Sequence, residues 1–206
     1  MQIKQFITGP LQVNCYLVID DNTNKAFIVD PGGKDKKLLN YIEENKIDVE
    51  YIILTHGHGD HICGIEFFKE ALPDAKIVAN EDERELLNNP RQNHSILTCG
   101  KAISVDVDKY VSDGDRLKVG DLELACISTP GHTPGGMCIY VDGALFSGDT
   151  LFAQSIGRTD FPYSSFDSLK ESIQGKLYTL PEDTKVYPGH MGSTTIGFEK
   201  EYNPFV

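Results

Sequence analysis

Tyr51-Ile52-Ile53-Leu54-Thr55-His56-Gly57-His58-Gly59-Asp60-His61 is the stretch that decides the fold. Its first four residues are apolar and largely β-branched, and they read as a buried strand. The chain then enters a loop loosened by Gly57 and Gly59, with four metal-capable side chains in six residues. At this chain's His and Asp frequencies, H-x-H-x-D-H arises by chance in roughly a few of every ten thousand such sequences. A polar surface turn would not need three histidines. In extended chain, residues two apart point the same way, so His56 and His58 can reach one ion together. Asp60 and His61 break that period and can turn to a second. Imidazole and carboxylate without thiolate suit zinc, and also iron or manganese.

Three further segments have the same form, a buried strand followed by a Gly-rich turn that presents a ligand-type residue. They are Ile127-Ser128-Thr129-Pro130-Gly131-His132, Phe146-Ser147-Gly148-Asp149 and Val186-Tyr187-Pro188-Gly189-His190. One such turn alone is an ordinary turn. Four in one chain point to strands that deliver ligands to a common edge.

The flanking sequence sets the architecture. Ile3–Thr8, Val13–Ile19 and Ala26–Val29 read as strands, with a hairpin loop at 20–24. Asp35 is placed to cap a helix whose apolar face is Leu38, Leu39 and Ile42. Gly64 to Leu72 has helical spacing at Ile65, Phe68 and Leu72. Lys76–Ala79 reads as a strand, and Asn80 caps a helix from Glu81 to Leu87 expected to be mainly solvated. Residues 88–101 are polar and without periodicity; His94 lies among them with no ligand neighbours and is left outside the site. Arg116–Val119, Leu122–Ile127, Met137–Val141, Ala144–Ser147 and Lys185–Tyr187 are strands, and a helix opens at Ser165 and runs to Leu177. Strands outnumber helices, and helices occur in both halves. That predicts two packed sheets with helices outside, a four-layer α/β arrangement.

Composition bounds the function. At 206 residues with 40% hydrophobic and 24% charged content, the chain fits one globular domain. No apolar stretch reaches 18 residues, and the first residues lack the apolar core of a secretory signal. A formal net charge of −12 disfavours nucleic acid and anionic membrane as partners. The five cysteines are odd in number and form no C-x-x-C pair, which predicts free thiols in a reducing compartment, the cytoplasm. Cys15, Cys126 and Cys138 are expected in the core, and Cys63 in the first turn of a helix.

Taken together, Asp30-Pro31-Gly32-Gly33, the His56–His61 cluster, Gly131-His132-Thr133-Pro134-Gly135-Gly136, Ser147-Gly148-Asp149-Thr150 and Pro188-Gly189-His190 resemble the metallo-β-lactamase superfamily over essentially the whole chain. The resemblance implies an αββα sandwich with two metal ions at one edge, zinc first among the candidates. It implies one site of His56, His58 and His132, a second of Asp60, His61 and His190, and Asp149 bridging them. Asp30 would shape the loop beside the site. A water bound to such ions drops from a pKa of about 15.7 to about 7, so a metal-bound hydroxide is the implied nucleophile. Asp60 is also a candidate proton shuttle.

Within the superfamily, Gly148–Phe152 followed by Ser155–Pro162 is most similar to glyoxalase II-like thioesterases of the short form, one domain over 1–206 without a C-terminal helical accessory domain. The implied reaction is hydrolysis of S-lactoylglutathione or a related hydroxyacyl thioester. Arg158, one of four arginines, is a candidate anchor for a substrate carboxylate, weighed evenly against a salt bridge with Asp160. Phe161 and Tyr163 are candidates for the pocket wall. Iron-dependent persulfide dioxygenases are also similar, with a stretch like Gly157–Phe161, and would hold one iron through His56, His132 and Asp149. A secreted β-lactamase, a nuclease with a basic face and a non-catalytic metal binder fit the sequence less well.

Overall fold

The computed structural model describes residues 1–206. Fourteen strands and seven helices follow in chain order. They are β1 (Gln2–Thr8), β2 (Val13–Ile19), β3 (Lys25–Val29), α1 (Lys36–Glu44), β4 (Asp48–Ile53), α2 (Gly59–Ile62), α3 (Ile65–Ala71), β5 (Lys76–Asn80), α4 (Arg84–Leu87), α5 (Ser95–Thr98), β6 (Lys109–Val111), β7 (Arg116–Val119), β8 (Leu122–Ser128), β9 (Met137–Val141), β10 (Ala144–Gly148), β11 (Leu151–Phe152), β12 (Ser155–Ile156), α6 (Phe166–Gly175), β13 (Lys185–Pro188), β14 (Thr194–Thr195) and α7 (Ile196–Tyr202). Short 3-10 turns at Glu81–Glu83 and Leu177–Thr179 precede α4 and follow α6.

The first sheet has the order β1-β2-β3-β4-β5-β6, antiparallel through β3 and parallel from β3 to β6. The second has the order β14-β13-β10-β9-β8-β7, with one parallel pair, β10 with β13. Strands between two layers must be apolar on both faces. Accordingly every residue of β2 and β10 is buried, whereas edge strand β1 has a single buried residue.

Three separate apolar clusters account for four layers. Tyr16, Val18, Phe27, Val29, Leu124, Ile139 and Phe146 fill the space between the sheets. Leu38, Ile42 and Phe68 of α1 and α3 pack on the opposite face of the first sheet, against Leu17, Ile28 and Ile52. Leu169, Ile173 and Ile196 of α6 and α7 cover the second sheet at Leu145 and Val186. This is the four-layer αββα sandwich. Helices α1, α6 and α7 start where polar side chains satisfy their free N–H groups. The Asp35 carboxylate accepts from the Lys37 and Leu38 amides at 2.7 and 3.1 Å, and Ser165 Oγ accepts from the Ser168 amide at 3.2 Å. No helix is long and apolar enough to cross a membrane.

Two expectations are corrected. Cys63 and Cys99 are joined as a disulfide, with Cα atoms 5.6 Å apart, rather than free. Cys63 sits just past the last turn of α2, and the fold carries residue 99, 36 positions away, to the same spot. Counting and spacing of cysteines cannot show that approach. The other three are buried free thiols, as expected. The segment from Glu81 to Leu87 is exposed at Glu81, Asp82, Arg84 and Glu85, as expected of a mainly solvated element, but it is a 3-10 turn followed by the short α4 rather than one helix. Glu83, Leu86 and Leu87 are buried, because the segment leans on the ligand-bearing loops.

Candidate metal centre

The ligand-type residues leave four strands at one edge of the sandwich. His56 follows β4 of the first sheet. His132, Asp149 and His190 follow β8, β10 and β13 of the second. Asp60 and His61 lie in the single turn of α2, with His58 at its N-cap. The edges are tied where the ligands emerge: the Met137 amide donates to Thr55 O at 2.9 Å, and the Asn14 side chain donates to Pro188 O and Met191 O, both at 2.9 Å. The glycines allow the crowding. Gly148 has φ +48°, and a Cβ there would collide with the Thr55 side chain. A Cβ at Gly189 would lie 2.5 Å from Asp149 Oδ1 and 2.7 Å from His61 Cε1.

Ligand atoms of His56, His58 and His132 lie within 4.8 Å of one another, as do those of Asp60, His61 and His190. Asp149 stands between the groups. Its Oδ1 is 3.4 Å from His61 Nε2, and its Oδ2 is 3.7 Å from both His132 Nε2 and His190 Nε2. Asp60 Oδ2 lies 3.2 Å from His190 Nε2 and 3.6 Å from His61 Nε2. Thus all seven residues expected as ligands are brought together.

For four of the five histidines the far side fixes which nitrogen faces inward. His132 Nδ1 lies 2.8 Å from Arg158 O, a carbonyl that can only accept, so Nδ1 carries the proton and Nε2 a lone pair. The Tyr163 hydroxyl donates to Gln92 O at 3.1 Å and so accepts from His58 Nε2 at 2.8 Å, leaving a lone pair on His58 Nδ1. The Thr55 hydroxyl donates to Asp30 Oδ2 at 2.6 Å and accepts from His56 Nδ1 at 3.2 Å. His56 Nε2 then points inward with no hydrogen-bond partner, like His61 Nε2 and Asp149 Oδ1. In these tautomers His58 Nδ1 and His132 Nε2 face each other at 2.9 Å, lone pair to lone pair. That contact is repulsive unless a cation lies between. Orphaned buried acceptors and opposed lone pairs are what a metal site leaves when described without its ions, and the donor set fits the group.

Asp30 is also close to His56 and His61, but it is not free to ligate. Its Oδ2 accepts from His61 Nδ1 at 2.9 Å and its Oδ1 from the Thr55 amide at 2.8 Å. It therefore orients His61 from behind, in the usual carboxylate–histidine manner. The sequence reading of Asp30 as a loop-shaping residue missed this hydrogen bond.

Electrostatics follow from burial against charge. Burial pushes the His56 imidazole well down and His58 down to about 3, reinforced by neighbouring imidazoles. Burial also opposes charge on His61, yet Asp149, Asp60 and Asp30 raise it well above the usual histidine value. Burial would raise the Asp149 carboxyl, but His61 holds it far below the ordinary range. Without metal, then, a protonated His61 offsets part of the charge of the three acids around it. An ion would displace that proton.

A cavity of about 540 Å³ opens over the cluster, with His58, Asp60, His132, Asp149 and His190 at its floor. Leu11, Leu97, Phe152, Ile156 and Phe161 wall it. Phe161 faces the His58 ring at 5.0 Å and stacks on Tyr163 at 5.6 Å. Arg158 lines the cavity too, but its guanidinium makes a two-pronged contact with Asp160 at 2.9 and 2.8 Å, and its side chain is 68% exposed. Of the two roles weighed for it, the structure shows the salt bridge with Asp160. Residues 88–101 form one wall through His94, Leu97 and Thr98, held by the Gly59 amide donating to Asn93 O at 2.6 Å. His94 is thus a wall residue, 5.1 Å from the Phe161 ring. A separate surface depression of about 630 Å³ at Glu81, Asp82, Arg84 and Glu85 has no apolar wall and no convergent ligand set.

The family model of the metallo-β-lactamase superfamily matches residues 8–190, and the chain belongs to that superfamily. It is 35% identical over its full length to a probable metallo-hydrolase, YqgX, of Bacillus subtilis, covering 98% of that protein. It is 34% identical, again over its full length and 98% of the relative, to the hydroxyacylglutathione hydrolase GloC of Haemophilus influenzae. Among solved structures, the BLEG-1 B3 metallo-β-lactamase superposes with a TM-score of 0.91 at 36% identity, 99% of each chain being covered. TTHA1623, in a di-iron-bound form, superposes with a TM-score of 0.85 at 33% identity over 98% of this chain and all of that one. The protein is a metallo-hydrolase of this superfamily with a His/Asp metal site.

Proposed function

We propose that the protein is a dinuclear metal-dependent thioesterase that hydrolyses S-lactoylglutathione or a related hydroxyacyl thioester. The observation that carries this reading is a pair of ligand sets on either side of Asp149, at the floor of a single cavity of small-molecule size. The full-length similarity to a hydroxyacylglutathione hydrolase supports the substrate class. His56, His58 and His132 would hold one ion, Asp60, His61 and His190 the other, and Asp149 would contact both. Bound there, two ions would make hydroxide available near neutral pH and polarise the thioester carbonyl.

The protein's own residues supply the rest. Asp30, Thr55, Tyr163 and the Arg158 carbonyl hold four imidazoles in their tautomers, so no reorganisation is needed during the reaction. Asp60 stays ionised near neutral pH, because His61 and the hydrogen bond with His190 outweigh the effect of burial. Its carboxylate can therefore accept a proton at the cavity floor and pass it to the departing thiolate. Phe161 and the aliphatic wall keep bulk water off the acyl group.

The test is a substrate panel on protein of known metal content: S-D-lactoylglutathione, simple acyl thioesters and a chromogenic cephalosporin. Chelator-sensitive turnover of a thioester supports the reading. The similarity to a B3 metallo-β-lactamase makes the β-lactam amide the second substrate class to assay. Oxygen uptake on a persulfide with one iron per chain, and no hydrolysis, would replace the reading with an oxygenase.

A further inference from the structure

Glu83 is a fully buried carboxylate that the chemistry above does not use. It sits at the end of the 3-10 turn that follows β5. Its Oε1 accepts from the Gly57 amide at 2.8 Å, and its Oε2 from the Gly135 amide at 2.7 Å. Gly57 lies between His56 and His58. Gly135 lies in the loop of His132, three residues on. One side chain therefore grips both loops that carry the three-histidine set, and these loops come from different sheets. The fit requires glycine at position 135 and is tight at position 57. A Cβ at Gly135 would run into the Glu83 backbone, and one at Gly57 would lie 3.3 Å from Oε1 and 3.1 Å from the Leu87 side chain. Two acceptor oxygens meet two N–H donors, and each oxygen serves one loop.

We propose that Glu83 is a positioning residue for metal: it sets the spacing of His56, His58 and His132 by clamping their two loops together. This rests on the reading of those three histidines as one metal site. The second set, Asp60, His61 and His190, receives no bond from Glu83. The clamp therefore acts directly on one site, and reaches the other only through the chain that runs on from His58 to Asp60 and His61.

Glu83→Gln keeps the shape but replaces one acceptor oxygen with an amide NH2, a donor that faces an N–H. Metal-free protein would be titrated with zinc against a chromophoric chelator, and its unfolding temperature measured alongside. The expected result is that one of the two zinc affinities falls by about 10–100-fold, the range for loss of a supporting partner behind a ligand. The other affinity stays within about threefold. In a His58→Ala background, where the three-histidine site is already broken, Glu83→Gln should change zinc binding by less than about threefold, as expected for two residues acting on one site. Glu83→Asp retains both acceptor oxygens one methylene shorter, and serves the same titration if Glu83→Gln does not fold. Unchanged zinc affinities would overturn the proposal. So would an equal fall in both affinities together with a lower unfolding temperature, which marks a fold-stabilising residue only. Wild type binding no zinc at all would instead strike the metal-site reading, not the clamp.

Discussion

At the scale of single residues, the centre depends on what stands behind each ligand as much as on the ligands. His58→Ala removes a lone pair that faces His132, and Asp149→Ala removes the carboxylate between the two sets. Each should lower bound metal to about one ion per chain or less and cut activity at least about a hundredfold. Elemental analysis alongside kinetics checks this; full metal with lost activity would assign a catalytic role instead. Arg158 asks a different question. An exposed pair such as Arg158 with Asp160 is worth only about 0–1 kcal/mol, so a substrate carboxylate could displace Asp160. Arg158→Ala should then raise KM for an anionic thioester more than it lowers kcat, and Asp160→Asn, which frees the guanidinium, should lower KM by up to about fivefold. KM values unmoved by both changes would remove Arg158 from substrate binding. The seven candidate ligands were legible in the sequence because each follows a strand in a Gly-rich turn. Their tautomers were not, since the partners that set them, the Arg158 carbonyl, Tyr163 and Asp30, are distant in sequence. Glu83 was invisible for a related reason: in Glu81-Asp82-Glu83-Arg84-Glu85 it looks like one of several solvated charges.

At the scale of elements, the long strands and capped helices announced themselves by periodicity and cap residues. The short strands β6, β11, β12 and β14 did not, since two or three residues carry no measurable period and depend on their partners in the sheet. The segment 88–101 has the same character. It takes its shape from what it packs on: the Asn93 carbonyl accepts from Gly59, the Gln92 carbonyl accepts from Tyr163, and Cys99 is bonded to Cys63. That disulfide joins the end of ligand-bearing α2 to the end of α5 in the cavity wall. Thiol titration of protein denatured without reductant should count three free thiols, those of Cys15, Cys126 and Cys138. Five would mean the pair is reduced in the protein as isolated.

At the scale of the molecule, two sheets converge their strand ends on one charge problem, and metal resolves it. In the metal-free protein, His61 is raised above its ordinary value by the three acids around it, despite burial. A group raised in this way contributes stability that is fully present below about pH 6.5 and is lost as pH rises through its folded value. With metal bound, the ion takes over that role and His61 stays neutral. Chelation should therefore lower the unfolding temperature more at pH 9 than at pH 7, and zinc uptake at neutral pH should release protons. Calorimetry at the two pH values checks the first, and titration in weakly buffered solution the second. A chelation effect that does not depend on pH would deny His61 this place.

The central claim is thioester hydrolysis at a metal centre. The most direct measurement is the decay of the thioester absorbance of S-D-lactoylglutathione with protein whose metal content is known. Turnover that a chelator abolishes and added zinc restores is the expected result. No turnover by protein carrying two zinc ions per chain would contradict it for this substrate.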